Sequence, residues 1–261
     1  MWQSDVEAFV QYLHAAGRAS TTIRLRRFHL ERAFTWIDVP PLEVSEDDLL
    51  RYMAANVWQP ETRKSVRASI CGFYAWAIKT RRLDVDPSRN LPSVAVPPGK
   101  PHPTPDENTH AALAADDDDL RLMVMLAAYA GLRRAEIASL HTRNVVGDVL
   151  HVTGKGGKER DIPAHPEILA LIAGREGYVF PGKIDGHLSP DWVGKRIKAA
   201  LGKDSGWTAH SLRHRFATRA YSGQRDLLTV QQLLGHSSVA TTQRYTQVPD
   251  DAKRRAIANV A

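Results

Sequence analysis

Hydrophobic positions recur at helical spacing through the first ninety residues and predict four amphipathic helices. The predicted helices run from Ser4 to Gly17, from Ser20 to Trp36, from Ser45 to near Trp58, and from Pro60 to Ile78. Ser4, with Glu7 three residues later, has the pattern of a capping box. Ser45 is a second candidate N-cap. These elements predict a small helical domain over residues 1–90.

A proline-rich segment follows the fourth helix. Between Leu91 and Pro105 the chain has six prolines, one glycine and few large side chains. Because proline cannot continue a helix, this composition indicates an extended connection. We therefore expect an interdomain linker at residues 91–104 and a second domain over residues 105–261.

The second domain begins with helical periodicity and then changes period. Leu120 to Gly131 is strongly apolar and predicts a buried helix, whereas apolar and polar residues alternate across Val145 to Pro163. Gly154-Lys155-Gly156-Gly157 interrupts that alternation and predicts a β-hairpin with a glycine-rich tip. Further helices are expected after Pro166, from Ser189-Pro190, over Ala209 to Tyr221, Leu227 to Leu234 and Val239 to Tyr245, and in the tail from Pro249. The predicted fold class is mainly α with a small β-sheet (α+β).

Four consecutive aspartates, Asp116 to Asp119, precede the apolar helix. Adjacent residues on a helix or turn point in different directions, so these carboxylates do not readily converge on one metal ion. Negative charge is favourable at the positive end of a helix dipole. We interpret the run as the cap and first turn of the following helix and expect no metal site.

Composition limits the class of protein. The 261 residues are 43% hydrophobic and 25% charged, which is typical of a folded chain long enough for two domains. The single cysteine, Cys71, excludes an internal disulfide and a zinc site built from several thiolates. The longest apolar run, Leu122 to Leu132, is too short to cross a bilayer, and no signal peptide is evident. We expect a cytoplasmic protein without membrane contact.

Positive charge is distributed over both parts of the chain. The net charge of +6 divides equally between residues 1–100 and 101–261, as expected for a protein that holds an anionic polymer with two domains. Two basic groups lie on the second and fourth helices, and their candidate phosphate contacts are Arg24, Arg27, Arg63, Lys64 and Arg67. A solvated helix face is the alternative interpretation of each group.

Two candidate catalytic residues lie near glycines. Arg133 follows Gly131 in Ala-Gly-Leu-Arg-Arg-Ala-Glu-Ile, and its planar guanidinium can bind two oxygens of one phosphate. Glu136 could hold this arginine in place or be an ordinary surface partner. Lys155, at the hairpin tip, could donate a proton or bind phosphate, although glycine-lysine turns are common in proteins that bind nothing.

Four more candidates lie in the last third of the chain. His210 and Arg213, in His-Ser-Leu-Arg-His-Arg-Phe, are predicted on one helix face, with Leu212 and Phe216 on the buried one. His214 could instead be a packing or hydrogen-bonding residue. His236 follows Gly235, a natural helix C-cap, and Tyr245 lies nine residues further on. A tyrosine can act as a covalent nucleophile when cations stabilise the group that it attacks, but a lone tyrosine is more often a packing residue.

Taken together and in order, these motifs resemble the tyrosine recombinase (phage integrase) family. The motifs are Gly-Leu-Arg133-x-x-Glu136, Gly-Lys155-Gly, His210-x-Leu-Arg213-His214, Leu-Gly-His236 and Tyr245. The resemblance covers residues 104 to 248, and the N-terminal helices resemble the core-binding domain of that family in size and position. We expect the simple two-domain type, without an arm-binding domain.

The resemblance implies site-specific DNA recombination through a 3′-phosphotyrosyl intermediate. It implies that Arg133 and Arg213 clamp the scissile phosphate, and that His210 and His236 hydrogen-bond it, with His210 a candidate base. Lys155 would protonate the leaving oxygen, Tyr245 would attack, and neither ATP, a metal nor another cofactor would be needed. The implied partners are double-stranded DNA with a core-type recombination site, three further copies of the chain in a homotetramer on paired sites, and an accessory directionality factor. A type IB topoisomerase and a catalytically silent DNA-binding regulator are the alternatives.

Overall fold

The computed structural model describes residues 2–97, 99, 101–154, 156–224 and 226–235. The chain divides into two compact units, Met1–Pro98 (unit 1) and Gly99–Ala261 (unit 2), and each unit has its own hydrophobic core. The predicted helix Val239 to Tyr245 and the tail lie outside the described residues. Within the part of the chain that the structure describes, no helix is long and apolar enough to span a membrane.

Unit 1 contains the four predicted helices. They are α1 (Gln3–Ala15), α2 (Ser20–Ile37), α3 (Glu46–Ala55) and α4 (Pro60–Lys79). Their shared core is rich in aromatic side chains, because Phe9 and Phe34 both pack against Phe73, with ring centroids 5.6 and 5.2 Å apart. The helical periodicity therefore predicted which faces of these helices are buried.

The helix ends confirm one predicted cap and contradict another. Ser45 caps α3 through a capping box, since its hydroxyl accepts from the Asp48 backbone N–H at 3.2 Å and the Asp48 carboxylate accepts from the Ser45 N–H at 3.0 Å. The prediction for Ser4 was wrong. Trp2 packs against the unit 1 core, α1 begins at Gln3, and no side chain caps it. Helix α3 also ends at Ala55, before the predicted Trp58, because Asn56 is already extended.

In unit 2, helices and a small antiparallel sheet share one hydrophobic core. Its helices are α5 (Asp106–Leu113), α6 (Asp118–Ala128), α7 (Arg134–Ala138), α8 (Pro166–Ile172), α9 (Pro190–Ala200), α10 (Ala209–Gln224) and α11 (Leu227–Leu234), with a short 3-10 helix at Thr142–Asn144. Helix α6 is buried along all sides from Leu122 to Ala128, as its apolar sequence predicts. Ser189 caps α9 as expected, accepting from the Trp192 N–H at 3.1 Å.

The sheet contains the predicted hairpin. Strands β1 (Val145–Val146), β2 (Val149–Thr153) and β3 (Glu159–Pro163) pair antiparallel in the order β1-β2-β3. A fourth short strand, β4 (Pro181–Ile184), was not predicted, because its Pro-Gly sequence has no alternating pattern. In the register of the hairpin, Arg160 lies opposite Val152 and Ile162 opposite Leu150.

The aspartate run caps α6, as predicted. The Asp117 carboxylate accepts from the Leu120 N–H at 3.0 Å, and that hydrogen bond is the main reason why the pKa of Asp117 lies below its ordinary value. The carboxylates diverge, since Asp117 pairs with Arg196 and Asp118 with Arg121. Asp119 contacts a third arginine, Arg175, at 2.6 Å.

The segment predicted as a linker is anchored at both ends. Leu91 is buried in the unit 1 core, and Arg67 donates to its carbonyl at 2.7 Å. Thr104 is buried in unit 2, where its N–H donates to the Ser211 carbonyl at 3.1 Å. The described residues between these two anchors form neither helix nor strand.

The cap of α3 gives a stability prediction. Ser45→Ala should lower the free energy of unfolding by about 1 kcal/mol, because the Asp48 backbone N–H loses its acceptor and the Asp48 carboxylate loses the Ser45 hydroxyl. Ser4→Ala is the matched control, and it should change stability by less than about 0.5 kcal/mol because Ser4 is exposed inside the first turn. Chemical denaturation of the two variants measures both values, and equal effects would contradict the assignment of the caps.

Candidate active site

Arg133 lies at the junction between α6 and α7, shortly after a turn that requires glycine at position 131. Gly131 adopts φ +64°, and a Cβ there would lie 2.5 Å from Cδ1 of Phe216, so this position excludes other side chains. Arg133 is the N-cap residue of α7. Its backbone N–H and its guanidinium both donate to the Glu136 carboxylate, at 2.8 and 2.9 Å. The backbone and the side chain of Arg133 are thus fixed together.

Glu136 is a buried carboxylate that joins three arginines. Only 7% of the residue is exposed. Besides Arg133, Arg160 contacts it through two nitrogens at 2.7 and 3.0 Å, and Arg213 lies 3.9 Å away. Burial alone would raise the pKa of Glu136, but the hydrogen bonds from Arg160 and Arg133 and the charge of Arg160 hold it below its ordinary value. Glu136 therefore holds Arg133 in place and is not a surface partner.

Arg160 is a site residue that sequence reasoning missed. Its side chain is 6% exposed on β3, and its Nε donates to the carbonyl of Leu233 in α11 at 2.9 Å. The register of the hairpin could have indicated that Arg160 is buried. Arg160 lies opposite the buried Val152, so it occupies an inward-facing position of the strand where an arginine needs a buried partner.

Arg213 is buried at the centre of the site. Its guanidinium donates to the carbonyls of Gly131 and Leu234, which connects α10 to the α6–α7 junction and to the end of α11. The predicted division of α10 into a buried and a polar face was wrong for this residue. Arg213 is 2% exposed and is as inaccessible as Leu212, because carbonyl and carboxylate partners compensate its charge inside the core.

Arg133, His210 and Arg213 line one cavity. This cavity, of about 370 Å³, is formed by Arg133, Arg134, Ala135, Ala209, His210 and Arg213. The structure therefore brings together three of the six predicted catalytic residues, from elements eighty positions apart in the sequence. Guanidinium groups around one cavity are suited to the nonbridging oxygens of a phosphate.

The other three predicted catalytic residues, Lys155, His236 and Tyr245, lie outside the described residues. The residues that precede two of them are described. A Cβ at Gly154 would lie 3.3 Å from Nη1 of Arg160, and a Cβ at Gly235 would lie 3.0 Å from its Cδ. Gly235 also has the predicted left-handed conformation, φ 60° and ψ 45°. Arg160 thus lies close to Gly154, directly before Lys155, and to Gly235, directly before His236.

His210 is exposed at the start of α10 and pairs with a second histidine. Nε2 of His210 lies 3.0 Å from Nε2 of His214. On the other side of the His214 ring, Nδ1 accepts from the backbone N–H of His102 at 3.1 Å. Of the interpretations that the sequence left open for His214, the structure supports the hydrogen-bonding one.

The basic candidates of unit 1 divide into two groups. Arg63 donates to the carbonyls of Met53 and Asn56, at 2.8 and 2.9 Å, and so completes the end of α3. Arg67 holds the Leu91 carbonyl, and Arg27 pairs with Glu7 at 2.6 Å. Arg24 and Lys64 are exposed. Arg32, which was not singled out, is exposed beside Phe28, with its guanidinium carbon 5.7 Å from the ring centroid.

Comparisons with known proteins show which family the chain resembles. The model of the phage integrase family matches residues 106–251. A tyrosine recombinase XerC from Nitrobacter winogradskyi is 33% identical over 236 residues, which cover 78% of this chain and 73% of the relative. XerC from Xanthomonas axonopodis pv. citri is 29% identical over 281 residues, which cover 94% of this chain and 92% of the relative.

A solved structure shows the same fold. The lambda integrase dimer bound to a COC' core site matches with a TM-score of 0.76 at 20% identity, covering 93% of this chain and 76% of that one. The chain belongs to the phage integrase family, whose members are tyrosine recombinases, enzymes of site-specific DNA recombination. The predicted family and fold class are confirmed.

The buried contacts of Arg160 give the second prediction. Arg160→Met should lower the free energy of unfolding by about 3 kcal/mol, because it leaves the buried Glu136 charge with fewer partners. Arg121→Met is the control, since Arg121 pairs with Asp118 at the surface, and it should cost less than about 1 kcal/mol. Urea denaturation of both variants provides the comparison. Equal losses would show that the Arg160–Glu136 contact contributes no more than a surface pair.

Proposed function

We propose that this chain cleaves and rejoins double-stranded DNA at a specific core-type site, through a covalent bond between Tyr245 and a 3′ phosphate. The observation that supports this most directly is the shared cavity of Arg133, Arg213 and His210. A buried carboxylate and backbone carbonyls hold the two arginines in fixed positions. Two guanidinium groups held in this way are suited to binding one tetrahedral anion.

In this proposal, Arg133 and Arg213 bind the nonbridging oxygens of the scissile phosphate. Negative charge grows on these oxygens in the transition state, and donors that are already in place stabilise it without reorganising. His210 and His236 hydrogen-bond the same phosphate. The protonation state of His210 decides whether it also takes the proton of the attacking tyrosine.

Tyr245 supplies the nucleophile and Lys155 the proton for the leaving 5′ oxygen. The phosphotyrosyl bond that forms replaces the phosphodiester bond that breaks, so the energy of the linkage is kept for rejoining. This chemistry needs neither ATP nor a metal. The closeness of Gly154 to Arg160 supports a hairpin tip that approaches the same phosphate.

Assembly on DNA is the second part of the proposal. Solved structures show a lambda integrase tetramer bound to a Holliday junction and XerH bound to its difH substrate. We propose that this chain likewise acts in the cytoplasm as a homotetramer on paired sites, with an accessory factor setting direction. In unit 1, Arg24 and Lys64 are the candidates for contact with DNA phosphates, because both are exposed.

Covalent capture tests the chemistry. The wild-type chain should form detergent-resistant adducts with a pool of nicked random-sequence duplexes, because the nick releases the short fragment and prevents rejoining. Tyr245→Phe should form none, and electrophoresis followed by sequencing of the captured strands measures both.

The captured sequences also separate the alternatives. Captured strands that share one site support a recombinase, whereas unrelated strands indicate topoisomerase-like chemistry. Adducts that persist in Tyr245→Phe would assign the nucleophile elsewhere. If neither protein forms an adduct, a DNA-binding regulator is the remaining interpretation.

Salt dependence tests the DNA-contacting residues. Arg24→Ala and Lys64→Ala should each weaken binding to a random duplex and reduce the slope of log K against log salt by about 1, because each removes one phosphate contact. Arg63→Ala should chiefly lower stability, since Arg63 completes the end of α3. Fluorescence anisotropy at several salt concentrations measures the slopes, and Arg51→Ala, a surface change on α3, is the control. Unchanged slopes for Arg24→Ala and Lys64→Ala would contradict the assignment.

A further inference from the structure

Residues 102–104 lie along the first turns of α10 in unit 2. Thr104 binds Ser211 twice, through its backbone N–H at 3.1 Å and through a contact of the two hydroxyls at 2.8 Å. The His102 ring stacks on Trp207, with centroids 4.2 Å apart and an angle of 25° between the planes. The backbone N–H of His102 is therefore held at a defined place beside α10.

This N–H determines where the proton of His214 lies. A backbone N–H can only donate, and the His102 N–H lies 3.1 Å from Nδ1 of His214. Nδ1 must therefore be an unprotonated acceptor. An imidazole with one unprotonated nitrogen carries its proton on the other nitrogen, so His214 has its proton on Nε2.

The proton of His214 in turn determines the tautomer of His210. The two Nε2 atoms are 3.0 Å apart, a hydrogen-bond distance that accommodates one proton between them. Because that proton belongs to His214, Nε2 of His210 is the acceptor, and the neutral His210 ring carries its own proton on Nδ1.

We propose that His214 is a positioning residue that holds His210 in its Nδ1-protonated form. His210 then meets the scissile phosphate as a hydrogen-bond donor from Nδ1 and not as the base for the tyrosine, since the lone pair of Nε2 is already shared with His214. The inference rests on the proposed role of His210 at the phosphate. It assigns a function to His214 and to the His102 amide, which the fold alone would not require.

The tautomers can be measured on the free protein. The protein is labelled with ¹⁵N-histidine, and spectra are recorded over a pH series up to about 8 so that the neutral tautomers of both rings are observed. Long-range proton–nitrogen correlation spectra should show an unprotonated Nε2 and a protonated Nδ1 for His210, and the reverse for His214. Loss of signals in His210→Gln and His214→Gln assigns the rings. A protonated Nε2 on His210 would overturn the proposal.

Two variants of His214 separate positioning from packing. The amide of Gln reaches the place of Nε2 and can still donate to His210, whereas the shorter Asn side chain can occupy only the place of Nδ1. On the duplexes captured with the wild type, His214→Asn should slow adduct formation by about tenfold, the effect of one lost hydrogen bond. His214→Gln should keep most of the rate, and His14→Gln in α1 is the distant control.

The outcomes decide between the interpretations. Three results together support the proposal. His214→Asn loses most of the rate, and His214→Gln keeps it. In the Asn variant, His210 carries its proton on Nε2. Equal rates for the two variants would overturn it. If the wild type forms no adduct, the proposed function fails, but the spectra of the free protein still decide the tautomer of His210.

Discussion

The candidate active site depends on one buried negative charge, that of Glu136. A carboxylate inside a protein costs free energy unless cations and donors surround it, and here Arg133, Arg160 and Arg213 do so. Three guanidinium groups exceed the charge of one carboxylate, so the cluster keeps a positive excess. Arg133 and Arg213 bring part of that excess to the lining of the cavity, which would favour an anion there.

The same cluster joins parts of unit 2 that are remote in sequence. Arg160 connects the hairpin to α11, and Arg213 connects α10 to the turn at Gly131. The contacts with backbone carbonyls therefore fix the orientation of both guanidinium groups. A site whose donors are held in this way needs little rearrangement when charge develops on a substrate.

The sequence predicted those features of the fold that depend on residues close together in the chain. Periodicity and capping residues predicted the helices and the hairpin, and family motifs predicted Arg133, His210 and Arg213. It missed Arg160 and the contacts of residues 102–104 with α10, because their partners Glu136, Leu233 and His214 are far away along the chain. Arg63 and Arg67 were interpreted as phosphate contacts for the same reason. No local sequence pattern indicates that Arg63 binds a backbone carbonyl of α3 and that Arg67 binds the carbonyl of Leu91.

Gly131 has a consequence for how members of this family can diverge. Its positive φ admits few residues besides glycine, and the ring of Phe216 occupies the space that any side chain would need. A replacement at 131 thus requires a smaller residue at 216, on a helix that also carries Arg213. A smaller residue at 216 alone remains compatible with Gly131, so the constraint runs in one direction, from position 131 to position 216.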